Sequence, residues 1–127
     1  MNARKDKIYI AAMFSQRAAM EIIADELKGY GFEIVARWVY GGEDGLSREQ
    51  IALTDIADVD ACDTLVAFTQ CRGTMHTGGG RHVEFGYALA KGKKIIVIGD
   101  RETVFHHHPA ARVYRNMDDW LYAARVL

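Results

Sequence analysis

The sequence of 127 residues has one proline, two cysteines and no long hydrophobic run. A membrane-spanning helix needs about 20 consecutive apolar residues, and no stretch approaches that length. The charged residues at the start are not followed by an apolar segment with a small-residue cleavage site, so we expect no signal peptide. In a chain without an export signal, two cysteines are typically reduced thiols rather than a disulfide. We therefore expect a cytoplasmic protein that does not associate with membranes.

An excess of charge of either sign is also missing. Sixteen lysines and arginines stand against seventeen acidic residues. Binding to the backbone of a nucleic acid needs a basic surface, so we expect no nucleic-acid polymer as partner and retain a small molecule as the ligand class. Half of the residues are hydrophobic. This composition and length predict that residues 1–127 form a single domain.

The chain alternates short runs of β-forming residues with amphipathic stretches. The predicted strands cover residues 8–12, 32–38, 64–68, 94–99 and a less clear 112–114, and the predicted helices cover 16–28, 47–61, 81–91 and 117–125. Such alternation predicts right-handed crossovers and a parallel sheet with helices on both faces. We therefore expect an α/β fold, a Rossmann-like doubly wound sheet of four to five strands in the flavodoxin-like order 2-1-3-4-5.

In that strand order the ligand crevice lies beyond the carboxyl ends of strands 1 and 3. The segments there are residues 13–17 and residues 69–80, followed by the first turn of the third helix. Gly78, Gly79 and Gly80 would let backbone N–H groups approach an anion at a helix N-terminus. Neither a dinucleotide-binding nor a Walker glycine pattern is present. An anion cradle and a merely flexible loop are both compatible with these glycines.

Glu84 is the first candidate for chemistry. It lies off the apolar arc of the third predicted helix and near its amino-terminal end. The helix dipole there favours an ionised carboxylate, which is the form that a nucleophile needs. The alternative interpretation is an ordinary acidic residue near the start of a helix.

Four aspartates, Asp55, Asp58, Asp60 and Asp63, lie near the end of the second helix. Negative charge at a helix C-terminus opposes the dipole, so helix stability does not explain this cluster. We expect Asp58 and Asp60 to be solvated and consider Asp55 and Asp63 the better site candidates. Tyr9 on the first strand needs a partner for its hydroxyl if it is buried, and a nearby carboxylate would serve.

The sequence offers little for a metal ion or another cofactor. Carboxylates suit hard cations, but no known cation-binding loop is present. Consecutive side chains such as His106, His107 and His108 alternate in direction in an extended chain, so one metal could not easily bind all three. We expect neither a metal nor a cofactor.

Three segments of the chain, residues 8–14, 55–66 and 79–93, carry a resemblance to a known family. The most specific part is the pattern Glu-x-Gly-Tyr-Ala from Glu84 to Ala88, followed by Gly-Lys and a strand. The chain resembles the nucleoside 2-deoxyribosyltransferase family and its relatives, the deoxynucleoside 5'-monophosphate N-hydrolases.

This resemblance implies a retaining, two-step displacement at an N-glycosidic bond. Glu84 would attack the anomeric carbon and form a glycosyl ester, which water or a second base would then resolve. Asp55 would contact the base and assist its departure, and Tyr9 would hold the nucleophile. Paired carboxylates, one ionised and one carrying a proton, suit this chemistry.

The resemblance leaves two reactions open: hydrolysis, in which water accepts the sugar, and transfer, in which a second base accepts it. The transferases carry an acidic residue six positions before the nucleophile, where this chain has Gly78. The stretch 77–81, which ends at Arg81, could instead hold a 5'-phosphate together with Ser15 and Arg17. Phe14, in the same segment as Ser15, is a further expected substrate contact.

In the family, a neighbouring subunit also contributes to the site, here from residues 104–116, with His107 and His108 as candidates. A homodimer or higher homo-oligomer is therefore expected. The alternative function is a module of the same fold that binds a nucleotide without turnover, because fold alone does not distinguish the two.

Overall fold

The computed structural model describes residues 6–69 and 79–127 of the chain. Its centre is a five-stranded sheet in which every neighbouring pair is parallel. The strands are β1 (Lys7–Ala11), β2 (Glu33–Ile34), β3 (Thr64–Phe68), β4 (Lys94–Ile98) and β5 (Ala111–Tyr114). Their order is β2-β1-β3-β4-β5, which confirms the predicted doubly wound topology.

Four α-helices flank this sheet. They are α1 (Arg17–Gly29), α2 (Arg48–Ala61), α3 (Gly80–Ala90) and α4 (Met117–Ala123), with short 3-10 helices at Phe14–Gln16, Arg37–Tyr40 and Val104–His107. Helix α2 begins as predicted, because the Ser47 hydroxyl accepts from the Gln50 amide at 3.1 Å and the Gln50 side chain accepts from the Ser47 amide at 2.8 Å. No helix in the described ranges is long and apolar enough to span a membrane.

The core lies around the central strands. All five residues of β3 are buried, and four of the five residues are buried in both β1 and β4. Parallel strands covered on both faces have such continuous apolar runs, because no face is left for polar residues. Tyr9 at the middle of β1 is fully buried, so its hydroxyl requires a partner within the fold.

The prediction of a strand over residues 32–38 is wrong beyond Ile34. Residues Arg37–Tyr40 form a 3-10 helix instead. The buried Trp38 indole donates to the Ile10 carbonyl at 2.9 Å, and the Arg37 backbone amide donates to Asp58 at 3.0 Å. These tertiary contacts outweigh the local β propensity. They turn the chain towards the carboxyl end of β1, where the next loop meets the site.

Candidate active site

A cavity of about 640 Å³ opens where the chain leaves β1. Its wall includes the segment directly after β1, as the topology predicted, together with parts of α2, α3 and the loop after the second 3-10 helix. The residues that line it are Ala12, Met13, Phe14, Ser15, Trp38, Glu43, Arg48, Ile51, Asp55, Gly80, Arg81 and Glu84. The expected contribution of residues 70–78 lies outside the described residues.

Glu84, which lines this cavity, is held from behind by the fully buried Tyr9. The Tyr9 hydroxyl donates to Oε2 of Glu84 at 2.8 Å, across the packing of α3 on β1. Burial, followed by the charge of Glu84, raises the pKa of Tyr9, so the phenol keeps its proton and acts as a donor. The structure thus supplies the carboxylate partner that the sequence predicted for this tyrosine. The Tyr9 hydroxyl thus fixes one carboxyl oxygen of Glu84.

Asp55 on α2 is the second carboxyl of the site. It lies close enough to Glu84 to interact by charge and by a side-chain hydrogen bond. Burial and then Asp55 raise the pKa of Glu84 to about 8, although the Tyr9 hydrogen bond acts in the opposite direction. Glu84 therefore holds its proton more tightly than a solvated glutamate does.

The expectation that the helix dipole would keep Glu84 ionised is wrong, because its pKa is raised. Helix α3 begins at Gly80, so Glu84 is its fifth residue and lies beyond the first turn, where the dipole effect fades. Desolvation of a buried carboxyl is the larger effect and favours the protonated form.

Glu43 is a site residue that the sequence did not reveal. It lies in the loop after the second 3-10 helix, is only 9% exposed and lines the cavity. Its Oε2 is buried and, like Oδ1 of Asp55, meets no N–H or alcohol donor among residues 6–69 and 79–127. Burial, followed by a hydrogen bond and the charge of Asp55, raises its pKa to about 8. An acidic residue in a glycine-rich loop is normally solvated, so only its position after strand 2 hinted at the site.

The other aspartates of the predicted cluster have structural tasks. The expectation that Asp58 is solvated is wrong, because it is 5% exposed and binds Arg37 through the backbone amide, Nε and Nη2 at 2.8–3.2 Å. Asp60 is exposed and accepts from the Tyr87 hydroxyl at 2.8 Å. Asp63 accepts from the backbone amide of residue 7 at 2.9 Å and does not line the cavity.

Two aromatic rings form one wall of the cavity. Phe14 and Trp38 have ring centroids 6.2 Å apart and planes inclined by 37°. Trp38 is buried, whereas Phe14 is 67% exposed at the rim. An exposed aromatic ring beside a buried one offers a flat heterocycle a stacking surface.

Arg81 brings positive charge to the wall of the cavity. Its Nη1 forms a buried ion pair with Glu102, and both side chains are at most 7% exposed. Its Nε and Nη2 are buried and lack a hydrogen-bond partner within the described part of the chain. Glu102 is held in place because its backbone amide donates to Nδ1 of the buried His106 at 2.8 Å. Two of its nitrogen donors thus have no acceptor in the described part of the chain.

The structure places the remaining residues that were predicted to contact the substrate in different positions. Ser15 and Gly80 line the cavity, and Gly79 is the exposed N-cap of α3. Arg17 does not line it, because its Nη1 donates to Asp44 at 3.1 Å. Gly78 lies outside the described residues. Arg48 at the start of α2 lines the cavity although no motif distinguished it.

Within the described ranges, no group of three or more His, Cys, Asp or Glu side chains is arranged to hold a metal ion. The cavity has clustered carboxyls and a stacking surface at the topological switch point of a doubly wound sheet, where such folds bind ligands.

The strand order and the position of the cavity define the class as a doubly wound α/β protein, and solved structures share that fold. One is the CMP N-glycosidase BcmB of Clostridium botulinum, 21% identical, with a TM-score of 0.66 over 95% of this chain and 99% of that one. Another is a 2-deoxyribosyltransferase from Leishmania mexicana, 19% identical, with a TM-score of 0.60 over 87% and 75% of the two chains. No protein-family model matches the sequence, and no curated protein matches it.

Proposed function

We propose that the protein cleaves the N-glycosidic bond of nucleoside 5'-monophosphates through attack of Glu84 on the anomeric carbon. The observation that carries this proposal is the Glu84 carboxyl in the cavity, held by Tyr9 at 2.8 Å and coupled to Asp55. Proteins of the same fold include a CMP N-glycosidase and a 2-deoxyribosyltransferase, which both act at such a bond.

The reaction needs one ionised and one protonated carboxyl. In the reactive state Glu84 is ionised and Asp55 carries the proton. The bond from Glu84 to the anomeric carbon forms as the bond from that carbon to the base nitrogen breaks, and Asp55 gives its proton to the departing base. Water then attacks the glycosyl ester, Asp55 takes a proton from that water, and the sugar phosphate leaves with Glu84 ionised again.

The free donors of Arg81 support a 5'-phosphate on the substrate. Nε and Nη2 of Arg81 face no protein acceptor in the described ranges, and Gly80 and Ser15 line the same cavity. A buried guanidinium with two free N–H groups suits the bidentate binding of a phosphate. Gly78 replaces the acidic residue that the resembled transferases carry, which favours water as the acceptor over a second base.

The test is incubation with ribo- and deoxynucleosides and their 5'-monophosphates, each with and without a second free base, followed by chromatography. We expect free base and sugar phosphate from the monophosphates. Glu84→Gln should lower the rate by at least about 10³-fold, as removal of a nucleophile does. Glu49→Gln, an exposed residue in the first turn of α2, is the matched control and should retain the wild-type rate.

Two further measurements sharpen the test. Mass spectrometry of acid-quenched wild-type enzyme should detect a sugar-phosphate adduct on the peptide that contains Glu84. Saturable binding of intact nucleotides without any free base would reject the enzymatic proposal and leave a nucleotide-binding module.

We also propose that the protein is a homodimer that covers the exposed apolar side chains near α3. Val83 on α3 is 64% exposed and Phe105 is 62% exposed. The segments that carry them are in contact, since the rings of Phe85 and His106 lie 4.9 Å apart. Sedimentation equilibrium should give twice the chain mass, and Val83→Asp should lower it. A monomer at micromolar concentration would contradict the proposal.

A further inference from the structure

We propose that His106 is a positioning residue for Glu84, because it fixes the amino-terminal half of α3, the helix that carries the nucleophile. It acts through Glu102, which pairs with Arg81 on α3, and through a ring contact with Phe85 on the same helix. The inference rests on the proposed function, because it assigns a further residue to the reaction of Glu84.

The first support is the hydrogen bonding of the His106 side chain. This side chain is 2% exposed and belongs to the 3-10 helix Val104–His107. Its Nδ1 accepts from the backbone amide of Glu102 at 2.8 Å and from that of Thr103 at 3.3 Å. A ring nitrogen that accepts hydrogen bonds carries no proton, so the imidazole is neutral and has its proton on Nε2. One atom of His106 thus holds two consecutive backbone amides.

The surroundings of His106 favour this neutral ring. Burial and then the neighbouring His82 lower the pKa of His106. Arg81 and His107 act in the same direction, whereas Glu102 acts in the opposite one. A protonated ring could not accept from either amide, because both of its nitrogens would be donors. The acceptor that holds the Glu102 backbone is therefore present at neutral pH.

The second support is the ion pair between Glu102 and Arg81. Both side chains are buried, and the Glu102 carboxylate binds Nη1 of Arg81. Arg81 is the second residue of α3 and lies three residues before Glu84. Separating a buried ion pair leaves a charge uncompensated, so the partners stay together. The first turn of α3 is therefore anchored to the segment after β4 that His106 holds in place.

The third support is the contact between the rings of His106 and Phe85. Their centroids lie 4.9 Å apart and their planes are inclined by 81°, an edge-to-face arrangement. Phe85 is buried and directly follows Glu84 in the chain. Arg81 and Phe85 are four residues apart, so they lie on one face of α3. The two contacts on this face hold the helix before and after Glu84, whose carboxyl lines the cavity.

The position of α3 determines the reach of the Glu84 carboxyl. An attacking atom must lie about 3–3.5 Å from the carbon that it attacks, and a misplacement of about 1 Å can lower the rate about 100-fold. Such a misplacement weakens an interaction that is made only in the transition state. The loss should therefore appear in kcat and leave KM nearly unchanged.

The test compares His106→Gln with His106→Asn, two amide side chains that place their acceptor differently. Oδ1 of Asn occupies the position of Nδ1, whereas the amide of Gln lies one bond farther from the backbone. For the 5'-monophosphate that is cleaved fastest, we expect kcat to fall about 10- to 100-fold in His106→Gln, with KM nearly unchanged. His106→Asn should retain most of the wild-type kcat. Asp63→Ala is the matched control, because it removes an acceptor of a backbone amide at the start of β1, and it should keep the wild-type kcat.

Hydrogen exchange gives a second readout that does not require turnover. The backbone amides of α3 should exchange faster in His106→Gln than in wild-type protein and in His106→Asn, whereas those of α1 should not change. Equal kcat values in the two variants, a loss confined to KM, or unchanged exchange in α3 would overturn the inference while the proposed function stands.

The two proposals can fail separately. If the wild-type protein releases no base, the proposed function fails, and the exchange of the α3 amides still tests whether His106 anchors this helix. If His106→Gln does not fold, Glu102→Asp takes its place, because it keeps the charge on a shorter side chain. An unchanged kcat in Glu102→Asp would then overturn the inference.

Discussion

The hydrogen bond from Tyr9 to Glu84 makes a quantitative prediction for Tyr9→Phe. The bond stabilises the ionised form of Glu84 and so lowers its pKa. A hydrogen bond to a charged group contributes about 1.5–3 kcal/mol, which corresponds to about 1–2 pKa units. Removing the hydroxyl should therefore raise the pKa of Glu84 above its present value of about 8 by that amount.

The assay is the pH dependence of kcat/KM for base release, because its ascending limb reports the ionisation of the nucleophile in the free enzyme. We expect this limb to move up by about 1–2 pH units in Tyr9→Phe, with a loss of about 10- to 100-fold at pH 7 that diminishes as the pH rises.

Tyr87→Phe is the matched control. It removes a tyrosine hydrogen bond of the same length, 2.8 Å, to the exposed Asp60 outside the cavity. This variant should keep the wild-type profile. An ascending limb in Tyr9→Phe that stays in place or moves to lower pH would refute the assigned role of Tyr9.

Three other predictions concern stability and reactivity. The folded-state pKa of Glu84 is raised from 4.5 to about 8, so its protonation adds stability below about pH 4.5 that is lost as the pH rises through about 8. Glu84→Gln should therefore exceed the wild-type Tm by about 4 °C or more at pH 9 but not at pH 4, and equal differences at both values would contradict this. Glu102→Gln leaves the buried Arg81 cation without its anion and should lower the free energy of unfolding by about 3–5 kcal/mol in urea titrations, whereas an unchanged midpoint would contradict the ion pair. Cys62 is buried and its pKa is raised to about 11, so iodoacetamide should label it only after unfolding, as peptide mass mapping would detect; rapid labelling of the native protein would disprove this.

The fold was predictable because it depends on periodicity, which is local. Alternating β-type and amphipathic segments predicted the strand order, and that order predicted the crevice beyond β1. The meeting of Tyr9 and Glu84 follows from the same topology, since α3 packs on β1. These features need only the pattern of apolar residues and the handedness of crossovers.

Most features that escaped prediction depend on contacts between distant parts of the chain, including the burial of polar groups, which no local pattern encodes. Glu43 and Asp58 are buried acids whose environments arise from distant parts of the chain. The raised pKa of Glu84 results from desolvation and from Asp55 on another helix. Arg17 pairs with Asp44, 27 residues away, instead of lining the cavity.

Helix α2 links two parts of the cavity. Asp55 and Asp58 are three residues apart, so they lie on neighbouring positions of one helical face. Asp55 interacts with Glu84, while Asp58 holds Arg37 at the base of the loop that presents Glu43. Any sliding or rotation of this helix must therefore shift the surroundings of the Glu84 and Glu43 carboxyls together.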